Sequence, residues 1–96
     1  MMKVIYKFRI EAEKAQFHDT HAVAKILWPK GSVALSIQEQ DRRLTLWAEC
    51  PVDATENETL LLAVIPTGQP VSIPESWQHG ATVQLWNGTV WHIYRI

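Results

Sequence analysis

Apolar and polar residues alternate with a period of two along most of this chain, the pattern of strands with one buried face. Lys3 to Ile10 sets Val4, Tyr6, Phe8 and Ile10 on one side and Lys3, Ile5, Lys7 and Arg9 on the other, which predicts a half-buried strand. Ala22 to Trp28 predicts a second strand, stopped by Pro29 and turned by Lys30 and Gly31. Ser32 to Gln38 alternates again, with Val33, Leu35 and Ile37 inward. Leu44 to Cys50 sets Leu44, Leu46, Ala48 and Cys50 against Thr45, Trp47 and Glu49. The charged connection Glu39 to Arg43 joins these two runs into an antiparallel hairpin.

Other segments carry weaker patterns. Glu11 to Thr20 is polar and fits a helical turn or a loop, and Pro51 to Glu58 is an acidic loop. Thr59 to Ile65 is almost continuously apolar, as in a strand covered on both faces, although a short helix has the same periodicity. Pro66 to Gly80 holds three prolines and two glycines and reads as an irregular connection, with room for an extended piece at Val71 to Ile73.

The last segment is the most informative. Asn87-Gly88 separates two runs rich in β-branched and aromatic residues, the signature of a two-residue type I′ hairpin with φ > 0 at both central positions. That turn pairs Trp86 with Thr89, Leu85 with Val90, Gln84 with Trp91 and Val83 with His92. One face then carries Ala81, Val83, Leu85, Val90, His92 and Tyr94 as the core side. The other carries Thr82, Gln84, Trp86, Thr89, Trp91 and Ile93, with Trp86 and Trp91 diagonal neighbours.

About seven short strands with Gly and Pro punctuation predict an all-β fold: a small antiparallel β-sandwich or partly open barrel, with at most one short helix. The 96 residues make one domain, residues 1–96, large enough for a core but with a high ratio of surface to volume. A formal net charge of −1 argues against nucleic acid as a partner. The single cysteine, Cys50, excludes an internal disulfide and suits a reducing cytoplasm. The alternating N-terminal segment resembles neither a signal peptide nor a membrane span, so a cytoplasmic protein with no membrane contact is expected.

Candidate chemistry is sparse. His18-Asp19-Thr20-His21 has a His-x-x-His spacing, but lacks the glutamate and cysteine partners that mark zinc sites, and a solvated loop accounts for it. Cys50, before Pro51 on the inward face, reads as a buried thiol, and His92 as a packed core histidine. Carboxylates between Asp53 and Glu58 have no apolar wall to raise a pKa. No catalytic residue, metal ligand or cofactor is therefore assigned. Five of the nine aromatic residues are Trp, a residue type enriched in binding hot spots. The binding candidates are Trp47, Trp86 and Trp91 with Gln84 between them, and Arg42 and Arg43, whose guanidinium groups suit phosphate or carboxylate.

Five segments in order resemble a family of small proteins of unknown function encoded in tailed phages and prophages. They are Lys3-Val-Ile-Tyr-Lys7, Trp28-Pro-Lys-Gly-Ser-Val-Ala-Leu-Ser-Ile-Gln38, Leu46-Trp-Ala-Glu-Cys-Pro-Val-Asp53, Thr67-Gly-Gln-Pro70, and Gly80-Ala-Thr-Val-Gln84 with Val90-Trp-His-Ile-Tyr94. The family pattern has His where this chain has Gln69, and Glu11 to His21 is longer here. The resemblance implies a phage or prophage origin and a β-rich fold. The expected function is a non-catalytic accessory protein that counters a host defence, by inhibiting a host protein or sequestering a small signalling molecule. A minor virion or assembly protein is the alternative, ahead of an enzyme with an unrecognised site. A homodimer through a β-edge or a face containing Trp86 or Trp91 is also expected, because so small a domain cannot easily hide five indoles.

Overall fold

A computed structural model of the chain describes residues 2–11, 16–18 and 21–96. Among the described residues the regular elements are all strands: β1 (Lys3–Arg9), β2 (Gln16–His18), β3 (His21–Pro29), β4 (Val33–Gln40), β5 (Arg43–Pro51), β6 (Asn57–Pro66), β7 (Gln78–Gln84) and β8 (Val90–Arg95). They form a three-stranded sheet ordered β1-β5-β4 and a five-stranded sheet ordered β2-β3-β6-β8-β7, every pairing antiparallel. The two sheets face each other without closing into a barrel, so the expected sandwich is the fold. The apolar stretch after Thr59 is strand β6, not a helix.

Alternation places the core. On β5 the inward residues Leu44, Leu46, Ala48 and Cys50 are all buried, opposite Ala22, Ala24, Ile26 and Trp28 of β3 and Leu60, Leu62 and Val64 of β6. β6 is apolar on both sides because both are covered: outward-facing Ala63 and Ile65 are buried as well. Above that outer face, Trp77 from the Pro66–Gly80 connection rests edge-on against His21 and tilted against Tyr94, with ring centroids 5.4 and 6.5 Å away.

Outside the terminal hairpin, three inward assignments fail. Val33 is 53% exposed and in register with outward-facing Glu49, because the bulge that follows it reverses the alternation. Leu35 is 51% exposed because β4 bulges between Ala34 and Ser36, so the extra residue leaves the alternation. Tyr6, in register with inward Ala48, is also 51% exposed. β1 is an edge strand, and this side chain emerges where the sheet ends.

The terminal hairpin is shifted by one residue from its expected register. Leu85 N–H donates to the Thr89 carbonyl at 2.8 Å, and Gly88 N–H donates to the Leu85 carbonyl at 2.9 Å. The loop is therefore the three residues Trp86, Asn87 and Gly88, closing on Gly88 at φ +84°. Asn87 does not enter the left-handed region. Its Oδ1 instead accepts Thr89 N–H at 3.1 Å and Thr89 Oγ1–H at 2.7 Å, an Asx-type use of the side chain. Val83 consequently pairs with Trp91, and Ala81 with Ile93. A slip of one residue inverts a strand. Ile93 is fully buried and Trp91 packs on the core, whereas His92 and Tyr94 face outward.

The type I′ turn lies elsewhere. Asp41 and Arg42 have φ +52° and +66° and join Gln40 to Arg43 directly, so the β4–β5 hairpin turns on two non-glycine residues in the left-handed region.

Candidate functional site

The β4–β5 and β7–β8 hairpin tips meet at one end of the sandwich, although they belong to different sheets. Trp86 N–H donates to Glu39 Oε1 at 2.8 Å, and the Arg42 guanidinium carbon lies 4.7 Å from the Trp86 ring centroid. Beside this clasp opens a pocket of about 120 Å³. Its floor is Ile10, Leu44, Leu85 and Trp91, and its rim is Arg9, Arg42, Arg43 and Glu11.

Each rim arginine is placed by simple backbone logic. Arg9 is the last residue of β1, just before the chain turns inward at buried Ile10. Arg42 and Arg43 sit in and just after the type I′ turn, where the strands stop covering one another. Among the described residues none of these three guanidinium groups has a carboxylate within 4 Å. Arg42 is instead held by an aromatic face, a contact that leaves its N–H donors available. Trp91 is steadied from below, its Nε1–H donating to Thr89 Oγ1 at 3.0 Å. The arrangement offers planar, multi-donor cations over an apolar and aromatic floor, which is the chemistry of phosphate or carboxylate recognition next to a flat ring.

Of the six binding candidates, Arg42, Arg43, Trp86 and Trp91 come together here, but Trp91 does so from the inward face and not from an exposed outer one. Trp47 stands apart, in mid-strand on the outer face of the three-stranded sheet between Lys7 and Ser36. Gln84 is exposed on the outer face of the five-stranded sheet, paired with Val90 instead of Trp91. Arg9 was not singled out by sequence, because its alternation reads only as a solvated strand face.

His92 is not a core histidine. Its Nε2 lies 2.7 Å from Thr67 Oγ1 and its Nδ1 3.1 Å from Thr82 Oγ1, which in turn lies 3.0 Å from His79 Nε2. Thr67 spends its hydroxyl proton on the Val90 carbonyl at 3.0 Å, so His92 Nε2–H must be the donor to Thr67. On its other side His92 shares the Thr82 hydroxyl with His79. These contacts stitch β7 and β8 to the start of the Pro66–Gly80 connection.

The other candidates are quickly placed. His18 and His21 are register partners across β2 and β3, and residues 19 and 20 lie outside the described residues. Among the described residues no group of three or more His, Cys, Asp or Glu is arranged to hold a metal ion. Cys50 is a free, buried thiol, as expected. Among the described residues no helix is long and apolar enough to cross a membrane.

Two antiparallel sheets around one apolar cluster, with an arginine-rimmed pocket where two hairpins meet, define a small open β-sandwich. The chain belongs to the family described as domain of unknown function (DUF7352), whose model matches residues 1–96. No curated protein and no solved structure matches it.

Proposed function

We propose that this chain is a non-catalytic binding protein that captures a small organic anion, a phosphate ester carrying a flat ring, at the hairpin-tip pocket. The observation that carries this reading is the convergence of Arg9, Arg42 and Arg43, none paired with a carboxylate among the described residues, on a floor that contains Trp91. A backbone cost supports it. Arg42 occupies a left-handed position that Gly or Asn would fill with less strain, and strained positions persist most often where a site uses them.

At about 120 Å³ the pocket accommodates a phosphate and the edge of a ring, below the ~300 Å³ at which pockets begin to enclose a whole ligand. The remainder of the ligand lies across the rim toward exposed Trp86. The resemblance to tailed-phage proteins supplies the setting: an accessory protein that counters a host defence by sequestering a signalling nucleotide.

Titration of intrinsic Trp fluorescence with ADP, pyrophosphate and adenosine tests this. ADP should bind tightest and adenosine most weakly, and Arg43→Ala should weaken ADP by about tenfold or more, the loss of one charge-assisted pair. Equal binding of adenosine and ADP, or an Arg43→Ala protein with unchanged affinity, refutes the reading.

A second observation favours self-association. Ile5 and Val33, exposed at 60% and 53%, flank Glu49 in register across the outer face of the three-stranded sheet, one row from Trp47. We place the proposed dimer contact on this face, which also suits the virion or assembly alternative.

A further inference from the structure

A larger recess lies in the seam between the sheets, on the side where edge strands β4 and β7 approach each other. Farther along, the strands are held together by the Glu39 contact to Trp86 and by close packing of Ile37 under Gly80. A Cβ added at Gly80 would crowd the Ile93 carbonyl of neighbouring β8 at 3.3 Å and meet Ile37 Cδ1 at 3.9 Å, an ordinary van der Waals distance, so β4 and β7 pack directly on one another at this point. Both edges also bulge here, β4 at Leu35 and β7 at Gly80. Each bulge interrupts the regular edge, and between them a groove of about 260 Å³ stays open.

The groove has a distinct chemistry. Leu46, Leu60 and Leu62 back it, and Val33 and Leu35 form an exposed apolar lip. Its one permanently charged lining residue is Arg95, in register with inward-facing Leu62 and with its guanidinium carbon 5.9 Å from the centroid of buried Trp28. Among the described residues Arg95 has no carboxylate within 4 Å. Five consecutive residues of β4, Val33 to Ile37, line the recess, a length of roughly 13–16 Å at strand rise. An elongated apolar trough with one unpaired cation complements an elongated apolar molecule with one anion.

We propose that this groove binds an unbranched aliphatic carboxylate, its tail along Leu60 and Leu62 and its carboxylate on Arg95. The site is separate from the hairpin-tip pocket and shares no lining residue with it.

Amide chemical shifts followed during titration with octanoate, octanol and octylammonium test the proposal. Octanoate should move the resonances of Val33–Ile37 and Gln78–Gly80, while octylammonium leaves them in place. Arg95→Gln should weaken octanoate about tenfold, Arg95→Lys should restore much of the affinity, and Lys25→Gln, on the outer face of the five-stranded sheet, should leave the octanoate affinity unchanged. Octanol binding as tightly as octanoate, or an Arg95→Gln protein with undiminished affinity, overturns the assignment. So do shifts confined to Arg42, Arg43 and Trp91, or no shifts at millimolar octanoate.

Discussion

Arg42 and Trp86 sit on hairpins of different sheets, and the guanidinium of one lies over the indole of the other at 4.7 Å. The contact fastens the open end of the sandwich without burying the charge. It also aims an arginine at the pocket rim while leaving its donors free. Stability and recognition thus meet in one side chain.

Trp86→Ala removes this stack at an exposed position. It should cost about 0.5–1 kcal/mol, the range for solvent-exposed cation–π pairs. Because Trp86 is 60% exposed, the variant should also lose the red edge of the emission spectrum. A denaturation midpoint and a spectrum both unchanged would show that the two tips do not touch in solution.

The strained turn separates stability from binding. Asp41, at φ +52°, has no side-chain hydrogen bond or ion pair among the described residues, so Asp41→Gly should stabilise the protein by about 1 kcal/mol. Arg42→Gly relieves similar strain but loses the Trp86 stack, so its net stability should barely move while affinity for ADP falls about tenfold. Urea titration alongside fluorescence titration reads both quantities, and an Arg42→Gly protein that binds normally would remove Arg42 from the site.

The hairpin register has a direct mutational test. Ile93 is fully buried, so Ile93→Ala should cost about 2–5 kcal/mol. His92→Ala gives up two surface hydrogen bonds and should cost about 1–2 kcal/mol. The reverse order of midpoints would restore the type I′ register.

Association through the outer face of the three-stranded sheet predicts a light-scattering mass of about twice 11.0 kDa at micromolar concentration. Ile5→Lys should return it to the monomer with little change in the melt, since that side chain is exposed. Trp91→Ala should act on stability instead, because Trp91 packs on the core. A wild-type monomer at high concentration would sink the dimer.

Most strand positions were legible because burial on β3 follows strict alternation, and on β5 it departs from it only at buried Thr45, as Leu44, Leu46, Ala48 and Cys50 show. Two local decisions were not. Asn87 could either enter the left-handed region itself or use its side chain as an acceptor for Thr89, and the second outcome adds one loop residue. That residue exchanges the faces of His92 and Ile93. The bulge at Leu35 likewise carries no Gly or Pro to announce it. The site was half legible: residue chemistry pointed to Arg42, Arg43, Trp86 and Trp91, but only the pairing of β1 with β5 brings Arg9 beside the other arginines, and only the meeting of two sheets brings all three to the tryptophans. Trp47 and Gln84 share their chemistry and not their place.

Cys50 is fully buried near the end of β5, on its inward face, its Sγ 3.7 Å from the Ala48 carbonyl oxygen. A thiol so enclosed reacts with an alkylating reagent only when the sandwich opens around it. The chain therefore carries its own clock for conformational opening. With reclosing fast against labelling, the rate at which Cys50 is labelled in native buffer measures the fraction of time the two sheets are apart, and a ligand seated in either recess divides that rate by about one plus the ratio of free ligand concentration to Kd.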